Sequence, residues 1–383
     1  MIESNNTNPR LKLGEGKISG ILSIFLSSLA LLGILCFKFP EWLTTADFRE
    51  VYSAAIVEKL MFIGIIASFA FALLSFLLSR DKKYAVIALI LCTIAIVLGG
   101  FNVEGRAVEK LNWSIGLDWL ILDLLLMAII FVPIELVFPK NRNQSKFHPE
   151  WKTDLIYFTI SHLFIQFFGV ITKKPAVAFF GWLNLGPIQE WTQSLPFIFE
   201  LLLALILVDL FQYAAHRFFH SHNYLWRFHA VHHSTEHMDW LAGSRTHFVD
   251  IFVTRSMSFI PLYVMGFSSL TFNISIIFLA VHAVLIHANT SINFGFLKYI
   301  ITTPQYHHWH HCDDAKLYGK NFAVLFPFID KIFGTYYLPG DVWPSGTGLH
   351  EASFPKGFIK QTIYPFKVSP FKGDIEEGEQ SER

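Results

Sequence analysis

The chain is predicted to be an all-α, polytopic membrane protein of about six transmembrane helices plus a helical hairpin, with a cytoplasmic histidine-rich helical cap. Three observations carry that reading. Hydrophobic residues make up 53% of the 383-residue chain and charged ones only 16%, and the mean hydropathy is +0.43, beyond the apolar share of an ordinary soluble domain. The apolar residues gather into runs of the length that crosses a hydrocarbon core, roughly 20 residues. Fourteen of the seventeen histidines fall between His216 and His311, where the last of those runs gives way to polar sequence.

The elements follow in order. The first sixteen residues are polar, and the run at 18–37 ends without a small-residue cleavage pattern, so it reads as a retained span rather than a signal peptide. Runs at 60–79, 84–101, 115–137, 154–172 and 196–215 complete the six. Lysine and arginine number ten in the 37 residues of the N-terminus, "RDKK" and 138–153, against seven in the 58 residues of the intervening loops. That bias puts the former on the cytoplasmic side, and the sixth span then delivers His216 to the same face. The apolar stretch 249–289 is interrupted at Pro261, Gly266 and Ser268-Ser269. It reads as a two-helix hairpin that returns His287 to the cytoplasmic side. The ending "GDIEEGEQSER" is too poor in apolar residues to fold. The expected organisation is a four-span region over 1–137, a cytoplasmic linker over 138–153, a catalytic region over 154–350 and a partly disordered tail over 351–383.

Several function classes drop out. The formal net charge is zero and no long basic block occurs, so nucleic acid is not an expected partner. Three cysteines, two inside apolar runs, are too few and too scattered for a disulfide framework or a thiolate zinc site. No GxGxxG fingerprint and no haem or iron-sulfur cysteine pattern is present.

The histidines are spaced with purpose: His216-x3-His220, His229-x2-His232-His233 and His307-x2-His310-His311. On helices, positions i, i+3 and i+4 share one face, so each set aims its imidazoles together. Eight nitrogen donors exceed what one ion uses, which implies two ions. His287, in "HAN", is expected to be a further ligand, with Asn289 behind it. Asp209 lies on one helix face with Gln212, His216 and His220, and a carboxylate inside a span needs a partner. The expected partner is His216, held through its far ring nitrogen. His247, in "RTHF", is open between a metal, a carbonyl and a substrate head group. His282 lies about 140° round the helix from His287 and stands as the outlying candidate. His222, His237 and His308 fall off the shared faces and read as exposed or core-satisfied imidazoles.

"HRFFH", "HAVHH", "HAN", "TPQYHHWHH" and "NFAVLFPFIDKIFGTYYLP" resemble, in order and approximate spacing, the fatty acid hydroxylase or sterol desaturase superfamily of membrane di-iron oxidoreductases, over about 154–340. The resemblance implies a centre of two Fe ions on these histidines that activates O2 for attack on a C–H bond of a membrane lipid. Ile329 stands where the family usually has tryptophan before the aspartate, and "NFA" at 321–323 replaces "NFG". The electron donor would be external, a cytochrome or ferredoxin with its reductase, or in some members a reduced pterin. Hydroxylation leads, with desaturation or ether-lipid oxidation as alternatives. The first four spans read as an added scaffold or oligomer surface. A membrane metal transporter would need ligands along a midplane path with acidic partners, and a zinc hydrolase would need a general-base glutamate within the clusters. Here the histidines sit in and just beyond span ends and no glutamate lies within the triplets, so the transporter stands as the alternative from another class.

Overall fold

The computed structural model describes residues 15–45, 49, 53–104, 115–349 and 354–367. The acidic tail expected to be disordered, and His350, lie outside the described residues. Regular structure is helical: α1 (Lys17–Lys38), α2 (Pro40–Leu43), α3 (Ala54–Leu78), α4 (Lys83–Val97), α5 (Leu117–Val137), α6 (Trp151–Leu163), α7 (Ile165–Phe180), α8 (Gly186–Gln193), α9 (Phe197–Ser221), α10 (Asn223–His233), α11 (Phe248–Met265), α12 (Ser269–His287), α13 (Pro304–His310), α14 (Pro327–Ile332) and α15 (Phe358–Lys367).

Among the described residues, α1, α3, α5, α9, α11 and α12 are each long and apolar enough to cross a membrane. The helices differ from the apolar runs in three places. The run at 84–101 forms only the 15-residue α4, about 22 Å long, less than a hydrocarbon core. The run at 154–172 is broken, its two helices bent by 64°. The hairpin turns at Gly266 (φ +61) and Ser268, while Pro261 sits inside α11. Each of its arms, at 18 and 19 residues, is therefore of spanning length.

The chain forms two compact units, Met1–Asp123 with His162–Gln166, and Leu124–Ser161 with Phe167–Arg383. In the first, α1 packs on α3 and α4 through small side chains: Ser23, Ser27 and Ala30 face Ser68 and Ala72, and Ala85, Ala88, Cys92 and Ala95 line α4. A Cβ on Gly20 would stand 2.6 Å from Ser75 Oγ. Ser68 Oγ donates to Ser23 O at 2.7 Å and Ser75 Oγ to Gly16 O at 2.7 Å. Helices in lipid associate through close backbone approach and hydroxyl bonds of this kind, because apolar burial offers no gain there.

In the second unit α9 is the organising helix. Its apolar half packs Ala204 and Val208 against Leu262 and Phe267 of the hairpin. Buried Glu200 accepts from Ser268 N (2.6 Å), Ser268 Oγ (2.9 Å) and Thr271 Oγ1 (2.7 Å). Ser268 in turn caps α12 by accepting from Thr271 N, so one carboxylate fixes the hairpin turn to α9. At His222 the backbone turns extended, and α10 starts in a new direction. Of the eleven residues of α10, the last seven are buried.

Replacing Glu200 with alanine strands three donors in an apolar setting. It is expected to cost about 2–3 kcal/mol, seen as a lowered midpoint in thermal unfolding of the detergent-solubilised chain. An unchanged midpoint would show that the turn is held without it.

Candidate metal centre

Nine histidines converge into two adjacent groups. One contains His216, His220, His229, His233 and His310, the other His232, His287, His307 and His311, and within each group the ring nitrogens lie within 4.8 Å of one another. Eight of the nine are buried and His220 is half-buried. All nine expected ligands come together, but not triplet by triplet. In α10, His229 and His233 serve the first group and His232 the second. In α13 and the residue after it, His307 and His311 serve the second and His310 the first. The i, i+4 pair of each helix holds one group while the i+3 position crosses to the other, so the triplets interlock.

The far ring nitrogens decide which atom points inward. A carbonyl or carboxylate can only accept, so the nitrogen facing it carries the hydrogen and the other keeps its lone pair. His216 Nδ1 donates to Phe322 O (2.8 Å), His310 Nδ1 to Lys320 O (2.8 Å), His232 Nδ1 to Arg245 O (3.2 Å) and His287 Nδ1 to Ala283 O (2.6 Å). His229 Nδ1 donates to Asp250 Oδ2 at 2.6 Å. The inward atoms then face one another. His216 Nε2 and His229 Nε2 are 3.0 Å apart, and His232 Nε2 and His287 Nε2 are 3.2 Å apart. Two neutral rings so anchored hold lone pair against lone pair and cannot hydrogen-bond. His310 Nε2, deeply buried, has no partner at all. A shared cation satisfies such nitrogens, so the donor set fits two nitrogen-ligated metal ions.

Burial keeps these rings neutral. It holds the imidazoles of His232, His233, His307 and His311 well below the usual histidine range, with neighbouring imidazoles adding to the effect. The same burial takes His310 down to about 3.

The remaining expected residues lie elsewhere. His247 accepts from Val249 N at the start of α11 and donates Nε2–H to Thr362 O at 3.1 Å, so both ring nitrogens are spent. His282 Nε2 meets Thr302 Oγ1 at 2.8 Å and is outside both groups. His308 is buried but outside them, and His222 is exposed. Asp209 is a correction: it does not hold His216, whose Nδ1 is taken by Phe322 O. Its oxygens accept instead from Val324 N, Leu325 N and Phe326 N. A carboxylate on α9 meets three main-chain N–H groups of a passing loop before it can reach along its own helix. Asn289 likewise touches no ligand. Its side chain exchanges bonds with the backbone of Asn141, and its N–H donates to Glu135 Oε1, tying α12 to the end of α5.

Sequence reasoning missed Asp250 and Gly243. Asp250 is a buried carboxylate in an apolar hairpin arm, the same signal that singled out Asp209. Gly243 left no signal: a Cβ there would stand 2.8 Å from His287 Nδ1, a contact only the fold creates. On the other flank of α9 an apolar groove of about 450 Å³ runs along Leu210, Phe211, Ala214, Phe218 and Met257, with Arg217 on its rim.

A membrane chain that gathers nine histidines into two close groups has the donor set of a histidine-ligated membrane metal site. Its residues 201–335, which contain all nine, match the family model described as fatty acid hydroxylase. It is similar to ornithine lipid hydroxylase OlsE of Rhizobium tropici, 33% identical over 181 residues, 46% of this chain and 53% of the relative. It is also similar to alkylglycerol monooxygenase of Danio rerio, 32% identical over 164 residues, 43% and 36%. With methylsterol monooxygenase 1-2 of Arabidopsis thaliana it shares 23% over 231 residues, 56% and 76%. The chain spans about half or less of the length of the first two. No solved structure matches it.

Two outcomes follow. Histidines held below their ordinary pKa of 6.5 bind fewer protons folded than unfolded. Between 6.5 and about 3 the unfolded metal-free chain therefore takes up more protons, and stability falls as pH falls. Chelator-treated protein should lose thermal stability steadily from about pH 7.5 to about pH 5; a flat profile would mean that folding leaves the proton affinity of the rings unchanged. Separately, Gly243→Ala should push His287 aside, at about 1–3 kcal/mol, and lower metal content at constant secondary structure, as elemental analysis beside circular dichroism would report.

Proposed function

We propose that the protein is an O2-dependent membrane oxidoreductase that hydroxylates a C–H bond of a lipid at a di-iron centre held by His216, His220, His229, His232, His233, His287, His307, His310 and His311. The single observation behind this reading is the set of anchored imidazoles whose inward lone pairs face each other at 3.0–3.2 Å. Iron bound there supplies the oxygen activation.

The chain's own residues do the rest. Main-chain carbonyls and Asp250 keep Nδ1 protonated, so that Nε2 is presented without rearrangement. Burial excludes the water and protons that would compete for those lone pairs. Ligands at the ends of spanning helices let a lipid tail reach the centre from the bilayer without crossing water, and the apolar groove beside α9 suits such a tail. The balance is R–H, O2, two electrons and two protons to R–OH and water. The electrons come from a separate protein, a cytochrome or ferredoxin with its reductase, or from a reduced pterin, at the cytoplasmic face where charge bias puts the histidine cap. The relatives' names, an ornithine lipid hydroxylase, alkylglycerol monooxygenases and a methylsterol monooxygenase, support a lipid substrate and favour oxygen insertion over desaturation.

The test is lipid mass spectrometry of membranes with and without the protein under ¹⁸O2, beside iron analysis of the purified chain. The expected outcome is one lipid class that gains a single labelled oxygen, with two irons per chain. His232→Ala and His310→Ala, each removing a crossing ligand from one helix, should abolish the product and lower the iron count. Unlabelled or unchanged lipid from an iron-replete chain would exclude hydroxylation.

A further inference from the structure

The segment 320–326, between α13 and α14, supplies the two carbonyls that anchor His216 and His310, through Phe322 O and Lys320 O. No regular element holds it. Two buried carboxylates do so instead, by taking five successive N–H groups. Asp330 accepts from Phe322 N (2.9 Å) and Ala323 N (2.8 Å), and Asp209 from Val324 N (2.8 Å), Leu325 N (3.1 Å) and Phe326 N (2.6 Å). Asp330 also accepts from Tyr306 Oη (2.7 Å) and Thr335 Oγ1 (2.6 Å). Asn321, between the two anchoring carbonyls, has φ +60, in the left-handed region. Its side chain is fully engaged with Tyr306 O, Tyr337 O and Tyr337 N at 2.7–3.0 Å. All three side chains are completely buried. Charged acceptors bonded to several N–H groups in a low-dielectric setting hold backbone firmly.

Both anchored rings belong to the five-histidine group. No ring of the four-histidine group hydrogen-bonds to this segment, whose nearest hold on that group is Asn321 Nδ2 on Tyr306 O: His232 leans on Arg245 O and His287 on its own helix, and no hydrogen bond reaches Nδ1 of His307 or His311.

We propose that Asp209, Asp330 and Asn321 are positioning residues for one metal position only. Acting through the 320–326 carbonyls, they keep Nδ1–H on His216 and His310, so the ion of the five-histidine group depends on them and the ion of the four-histidine group does not. This rests on the two-ion reading above.

The experiment is an anaerobic titration of the full, detergent-solubilised, metal-free chain with Fe²⁺ or Co²⁺, counting ions and fitting their dissociation constants. The wild type should take two. Asp209→Asn keeps one acceptor but turns an NH2 group toward main-chain N–H. It should leave one ion unchanged and weaken the other about 10–100-fold. Asn321→Gly tolerates the backbone angle, loses all three side-chain bonds and should do the same, which keeps the test open if Asp209→Asn does not fold. The pairing identifies the position. Asp209→Asn added to His287→Ala should weaken the ion that remains. Added to His216→Ala, it should leave the remaining ion unchanged, because coupling is confined to residues serving one site. Equal weakening of both ions, or of neither, overturns the proposal. A wild type that takes fewer than two ions removes the two-ion reading and this inference with it.

Discussion

The structure turns on one electrostatic constraint, the gathering of nine histidines, eight of them buried, into two groups whose ring nitrogens lie within 4.8 Å of one another. Paired nitrogens near 3 Å without a hydrogen between them repel unless a cation sits among them. Burial makes the alternative of protonating the rings costly, as the depressed values of His232, His233, His307, His310 and His311 record. A protein pays for such an arrangement only where helices are independently held. Here Glu200 locks the hairpin to α9, and Asn289 ties α12 to α5.

The carboxylates serve the centre at different distances. Asp250 touches a ring directly. Asp209 and Asp330 hydrogen-bond to none of the nine rings; they hold the N–H groups of 322–326, next to the carbonyls of Lys320 and Phe322 that meet His310 and His216. A third set, Asp154 with Arg245 at 2.6 Å and Asp239 with His148 at 3.1 Å, is buried beside the residue whose carbonyl holds His232. A buried aspartate–arginine pair contributes little net stability, and Arg245 is itself the residue whose carbonyl meets His232 Nδ1. In the N-terminal unit, buried Asp118 accepts from Thr45 N at 3.1 Å, and Asp123 Oδ2 lies 2.9 Å from His162 Nε2. The serines of that unit bond within and between α1 and α3, as expected for helices packed in lipid.

The sequence by itself determined the membrane class and the histidines that the fold brings together. Apolar run length determined which segments could cross a membrane, because that depends on local composition alone. Helical spacing brought the right histidines into consideration, and their number implied two ions. The motifs from "HRFFH" to "NFAVLFPFIDKIFGTYYLP" led to the family whose model matches residues 201–335. Asp209 was singled out because a carboxylate within an apolar run must find partners somewhere.

Only the tertiary structure decided which partners. Asp209 was expected on His216, on its own helix, yet a loop more than a hundred residues away offered three N–H donors. The same holds for the split of each triplet between two groups, for His247 spent on a helix cap and Thr362, and for Gly243 under His287. Periodicity fixes which side chains share a helix face. It carries no record of which distant backbone atoms face them, and the tautomers of His216, His232 and His310 are set by such atoms.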